Sequence, residues 1–260
     1  MKNQLKNIAI ALITTTTLLS CSNDDDAQTV SGEGTLKVEF DNIYGDADFA
    51  FNTPYTNSNG EIVKVTDVVY IVSNVVLTKE DGSTYTVPKS DSYFFVNESD
   101  AASTLLSLPN VPAANYTKIS FGIGVDQEQF NAGSNGQGDM WEKAQTLGMT
   151  WSWAAGYKFI KFEGTYTSPS FTDASFMVHT GKTGGIYNYA EVSLNLPEKA
   201  LVRSSITPQI HIMANLKEII DGTTVVNFEE GGMVMGGAKV QNIMANNVPN
   251  MFEVHHVHND

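Results

Sequence analysis

Residues 119–125 read Ile-Ser-Phe-Gly-Ile-Gly-Val, with Ile119, Phe121, Ile123 and Val125 at every second position and small residues between them. Successive side chains of an extended chain point to opposite faces, so this spacing gives a strand one apolar face; a helix would need apolar residues three and four apart. The same period of two recurs at Leu36, Val38 and Phe40, at Ile160 and Phe162, at Val192, Leu194 and Leu196, and at Ile210 and Ile212. Turn residues separate these runs: Asn59-Gly60, Asp81-Gly82, residues 109–113 and residues 181–185. Residues 77–87, centred on Asp81-Gly82, read as a hairpin. Short strands joined by Gly, Asn, Asp and Pro turns, without alternating amphipathic helices, predict an all-β fold, an antiparallel β-sandwich rather than a parallel α/β sheet.

Two stretches depart from this pattern. Residues 126–148 are polar and glycine-containing, with a short helix expected around 140–147, and residues 127–147 form one long excursion between strands. Near the end, Val240, Ile243, Met244 and Val248 keep helical spacing, which predicts a short C-terminal helix packed on the sheet and stopped by Pro249. There is no internal repeat.

The N-terminus carries a different signal. Lys2 and Lys6 precede an apolar run over residues 8–19, which closes on Leu18-Leu19-Ser20-Cys21. A span across a bilayer needs roughly 20 apolar residues, and this run is shorter, so residues 1–20 read as a signal peptide. The Leu-Leu-Ser-Cys ending resembles a bacterial lipobox, which makes Cys21 the lipid attachment site and the first residue of the mature chain. Cys21 is also the one cysteine of the sequence, so no internal disulfide can support the fold. Residues 21–33 form a lipidated tether. Its Ser22-Asn23-Asp24-Asp25-Asp26 run resembles the acidic export signal of Bacteroidota surface lipoproteins, so the expected location is the outer membrane, exposed at the cell surface. Loss of Lys2 and Lys6 with the signal peptide leaves 13 basic against 29 acidic residues, a net charge of −16. Nucleic acid is therefore no expected partner; the membrane is reached through the lipid on Cys21. Residues 34–260 are long enough to bury one substantial core and read as a single domain.

No catalytic constellation stands out. The sequence has no Gly-x-Ser-x-Gly elbow, no phosphate-binding loop, no His-Glu-x-x-His helix and no cysteine nucleophile in the mature fold, so a binding protein is expected rather than an enzyme. The five histidines all fall in the last third of the chain: His179, His211, His255, His256 and His258. Within residues 208–216, His211 alternates with Ile210 and Ile212 and so points away from the apolar face. His256 and His258 stand two apart and share one face of an extended segment, a spacing that can chelate one ion; neutral imidazole suits copper, zinc and nickel, with copper(II) bound most tightly. His179, before Thr180-Gly181, is read as lying at a strand end. A lone strand histidine is also an ordinary hydrogen-bonded residue, and chain ends are commonly disordered. Met233, Met235, Met244 and Met251 offer soft thioethers or gap-filling apolar groups. Trp151 and Trp153, taken to share one strand face, read as packing on physical grounds.

Six stretches taken in order resemble the MbnP-like family of exported copper-binding proteins, related to methanotroph surface copper proteins: LKVEFDN (36–42), YIVSNVVL (70–77), ISFGIGVD (119–126), MTWSWAAGYKFIKFEG (149–164), FMVHTG (176–181) and NMFEVHHVHN (250–259). The resemblance implies a sandwich-like fold and a copper site built from histidines. In some members a tryptophan oxidised to kynurenine by a partner diheme enzyme helps to bind the metal. His179 occupies the histidine of the Phe-x-x-His-x-Gly motif, Trp151 or Trp153 would be the oxidised ligand, and the His256-Val257-His258 ending resembles Bacteroidota members. His211 enters from strand alternation alone. Residues 127–147 are longer than the family's connection. The expected metal set is His179, His256, His258 and His211, the cofactor is copper, and the partners are a diheme oxidase or an outer-membrane transporter. The rival readings are a surface interaction or assembly module without metal and a glycan-handling lipoprotein, the latter requiring solvent-facing Trp151 and Trp153.

Overall fold

A computed structural model describes residues 30–260; the expected signal peptide, Cys21 and Asp24-Asp25-Asp26 lie outside the described residues. Fifteen strands are assigned among these residues. In chain order they are β1 (Glu33–Tyr44), β2 (Ala47–Asp48), β3 (Tyr55–Thr56), β4 (Ile62–Lys79), β5 (Thr84–Thr86), β6 (Tyr93–Asn97), β7 (Leu105–Pro112) and β8 (Ala114–Ile123). There follow β9 (Lys158–Thr167), β10 (Ala174–Thr183), β11 (Ile186–Tyr187), β12 (Ala190–Val202), β13 (Pro208–Asn215), β14 (Met233–Val234) and β15 (Phe252–Asn259). They form a five-stranded sheet in the order β15-β13-β1-β2, with β7 also on β1, and a ten-stranded sheet with the path β11-β10-β9-β4-β8-β12. The expected all-β sandwich is the fold.

The two sheets meet through an aromatic cluster. Phe40 of β1 and Phe252 of β15 face Tyr70 of β4 and Phe121 of β8, with ring centroids 5.3 to 6.1 Å apart and edge-on geometry throughout. Such edge contacts suit the ring quadrupoles and add about 0.5–1.5 kcal/mol per pair beyond area burial. The alternation read from the sequence is obeyed: Leu36, Val38 and Phe40 are buried, as are Ile119, Phe121, Ile123 and Val125. Pairing is antiparallel except at β1 with β13 and at β10 with β14, which run parallel. The β1–β13 pair brings together strands about 170 residues apart in sequence, which no local turn signal foretells.

Residues 77–87 form the expected hairpin between β4 and β5. The stretch 109–113 is a turn only at Ala113, since β7 runs through Pro112. The long excursion after Asp126 contains α1 (Gln127–Asn131) and α2 (Met140–Thr146), and α2 buries Met140 and Ala144. Asp126 caps α1 by accepting from the Gln129 backbone N–H. Burial alone would raise the Asp126 carboxyl. Hydrogen bonds from Tyr93, Asn74, the Gln129 backbone and Lys89 outweigh that and hold it far below the usual carboxylate range. After α3 (Glu218–Asp221), the C-terminal helix begins as α4 (Gly237–Asn242), widens into a π-turn over Ile243–Asn247 and ends in a 3₁₀ turn that contains Pro249. Val240, Ile243, Met244 and Val248 are all buried, and the chain then enters β15. No helix of the described residues is long and apolar enough to cross a membrane.

Candidate metal centre

The outer face of the five-stranded sheet gathers most of the histidines. On β13, Ile210, Ile212 and Ala214 are buried, so Gln209, His211 and Met213 face outward. Parallel β1 sets Glu39 opposite His211 and Asp41 opposite Met213. Antiparallel β15 sets His256 opposite His211 from the other side.

Strict alternation along β15 from Phe252 and Val254 would turn His256 inward and Val257 outward. The register instead shifts: His211 pairs with His256 while Ile212 pairs with Val254, leaving His255 as the extra residue of a bulge. Val254 and Val257 are both buried in consequence, and His255, His256 and His258 all emerge on the outer face. His256 and His258 share a face as the sequence reading has it. His255 joins them through the bulge, which that reading did not contain. Its signal was present in the sequence: two valines three apart in a strand break the period of two.

The imidazoles converge on His256. Its Nδ1 lies 2.7 Å from Nδ1 of His255 and 3.3 Å from Nδ1 of His211. One ligand nitrogen from each of these three residues lies within 4.8 Å of the others. The His258 ring stands edge-on to His256 at a centroid distance of 4.4 Å. Facing ring nitrogens can share a proton only pairwise, whereas a cation accepts a lone pair from each. Two metal–nitrogen bonds of about 2.0 Å at a tetrahedral angle set their nitrogens about 3.3 Å apart, so the His211–His256 separation suits one ion. The 2.7 Å between His255 and His256 is a hydrogen-bond distance, and the exposed His255 ring would have to turn to join them.

Neighbouring charges prepare this arrangement. Asp41 Oδ2 lies 3.1 Å from His211 Nε2. A carboxylate there keeps the ring proton on Nε2, so that Nδ1 turns its lone pair toward His256, the way an outer carboxylate orients a ligating imidazole. The His256 pKa is lowered by desolvation first and then by its three neighbouring histidines, against an opposing effect of Glu39, so the ring favours the neutral form that ligates metals. A cavity of about 520 Å³ adjoins the cluster, with His211 and His255 in its wall beside Asp41, Asp46, Asp48 and Glu253.

His179 stands elsewhere, on the ten-stranded sheet. The sequence-based set of His179, His256, His258 and His211 thus divides between two sheets: His211, His256 and His258 come together and His179 does not join them. Nor does His179 end its strand; β10 continues through Thr183 with a register irregularity between His179 and Gly181. The side chain is 4% exposed, its Nε2 lies 2.6 Å from Glu163 Oε1, and its buried Nδ1 has no hydrogen-bond partner among the described residues. Burial lowers its pKa, the Glu163 hydrogen bond raises it in part, and the net shift is downward. The Trp151 ring is 6.3 Å from the His179 ring. Trp151 and Trp153 do not share a strand face: they sit in the turn before β9, where Trp153 packs on Phe130 and Trp141. Both residues are half-buried. Met244 and Met251 fill the core, whereas Met233 is 61% exposed.

A family model described as MbnP matches residues 33–237. The chain belongs to the MbnP family. The matched span holds Trp151, Trp153, His179 and His211, and stops ahead of His255, His256 and His258. Among solved structures, MbnP from Methylosinus trichosporium matches at 14% identity with a TM-score of 0.52, over 86% of this chain and 98% of that one. At this identity the likeness is one of fold. No curated protein matches the sequence.

Proposed function

We propose that the mature chain is a copper-binding lipoprotein, held by the lipid on Cys21 at the cell-surface side of the outer membrane, that takes up or stores copper without turnover of its own. Membership of the MbnP family associates the chain with copper handling. The observation that carries the site is the convergence of the His211, His255 and His256 ring nitrogens within 4.8 Å on a solvent-facing sheet, with His258 beside them. Imidazole donors bind copper(II) ahead of the other common divalent ions. Release to an outer-membrane transporter, or modification by a diheme oxidase, belongs to the same proposal.

The test is metal analysis of a soluble form lacking residues 1–26 after exposure to equal copper and zinc. One copper per chain is expected, lost when His211 and His256 are both replaced by Ala. A folded protein that takes up no copper refutes the reading and favours a surface interaction module, with the excursion at residues 127–147 as its presented loop.

A second reading rests on one observation at His179. A buried imidazole held by Glu163 at one nitrogen and unpartnered at the other, with the Trp151 ring 6.3 Å away, is the arrangement of an oriented metal ligand. In this reading copper sits at His179, with an oxidised Trp151 or Trp153 as co-ligand. Copper retained at full stoichiometry by the His211→Ala/His256→Ala variant favours it. Unmodified Trp151 and Trp153 in mass spectra of the native protein exclude the tryptophan part.

A further inference from the structure

The carboxylates around the histidine cluster are sorted by sign more sharply than net acidity demands. The cavity beside His211 and His255 carries Asp41, Asp46, Asp48 and Glu253, and neither lysine nor arginine lines it. A second, smaller cavity shares Asp41 and Asp48 with the first, adds Glu39 and Glu98, and again has no basic residue in its wall. Other clefts of the molecule differ: those near Asp126 and Tyr93 both hold Lys89, and the one beside Asn115 holds Lys79.

Four carboxylates, Asp41, Asp46, Asp48 and Glu253, therefore share the cavity wall that holds His211 and His255. Of these, Asp41 has its own local task at His211. Asp46 and Asp48, exposed at the β1–β2 hairpin, have no salt-bridge partner among the described residues. A cleft lined by one sign of charge raises the local concentration of the opposite ion and can speed its capture by 10- to 1,000-fold. It repels ligands of its own sign equally.

We propose that this acidic approach selects the form in which the metal arrives. The site loads from the hydrated cation, or from a neutral or cationic complex, and disfavours anionic chelates. The inference rests on the histidine cluster being the copper site and adds the charge class of its cargo.

The test uses the purified mature chain, the Asp46→Asn/Asp48→Asn variant, and two probes: copper(II) in a non-coordinating buffer and the anionic copper(II)–nitrilotriacetate complex. Association is followed by stopped flow between about 10 mM and 0.5 M salt, a range over which the screening length falls from about 30 Å to a few ångströms. For the cation we expect the wild-type rate to fall at least tenfold with salt, and the variant to be several-fold slower at low salt with a shallower dependence. For the anionic complex we expect the opposite salt trend in the wild type and faster loading of the variant. Both proteins should hold the same copper per chain at saturation. Equal rates and equal salt dependence in the two proteins overturn this inference and leave the copper site standing. If neither protein takes up copper, the site itself falls and this inference with it.

Discussion

The two histidine regions of this molecule differ in what surrounds the ring. At the cluster, His256 meets other imidazoles on a solvent-facing sheet, so ring nitrogens are brought together from two strands, β13 and β15. At His179 a single imidazole is buried against one carboxylate and one indole, and the sheet around it supplies no second histidine. Multiplicity of donors is what the proposed copper site rests on at the first. Burial and a charged partner mark the second as a place where loss of the side chain costs stability whether or not a metal is present.

The largest effect that separates them is loss of copper. His211→Ala/His256→Ala removes two converging donors and should abolish stoichiometric binding, with the thermal midpoint changed by only a few degrees because both rings lie on the outer face; calorimetry and metal analysis on one sample read both. Asp41→Asn sharpens the same contrast. Mutation of an outer partner of a ligating imidazole costs 10- to 100-fold in metal affinity, and competition titration should find a loss of that order with the fold intact. An unchanged affinity would mean that Asp41 does not orient His211.

His179→Ala should act the other way round. It removes a hydrogen bond to a carboxylate from a buried site, which costs about 2–3 kcal/mol in urea unfolding, and it should leave the copper stoichiometry of the cluster untouched. Acid adds a graded signature. Burial keeps the folded His179 neutral below the 6.5 of a free imidazole, so the unfolded chain takes up a proton first. Its contribution is complete above about pH 6.5 and is lost as the pH falls through that value toward the lowered folded pKa. The fall in urea midpoint between pH 7.5 and 5.5 should be smaller in His179→Gln than in the wild type; an equal fall would assign the acid sensitivity to other groups. The smallest effect expected is that of His258→Ala, no more than a few-fold in copper affinity, because His258 stands edge-on to His256 and lies outside the closest group of ring nitrogens.

Much of this was legible from residue order. Alternation at Ile119, Phe121, Ile123 and Val125 and at Leu36, Val38 and Phe40 identified strands that are buried on one side, because the period of two is a property of the extended backbone itself. His211 was placed outward by the same rule. The rule failed where the chain departs from regular extension. Trp151 and Trp153, two apart, sit in a turn; the strand end expected at His179 from Thr180-Gly181 is instead an irregularity inside β10.

Sequence by itself determined the class of fold, the outward direction of His211 and the shared face of His256 and His258, since each follows from backbone periodicity over a few residues. The tertiary structure alone decided which histidines meet. Strand order across the sheet depends on the burial of Phe40 and Phe252 against the opposite sheet, and that packing lays β15 beside β13 and parallel β1 on its other side. It also keeps Val254 and Val257 inward at the cost of one bulged residue, so that His255 turns to the surface and Asp41, about 170 positions from His211, comes to hold its ring.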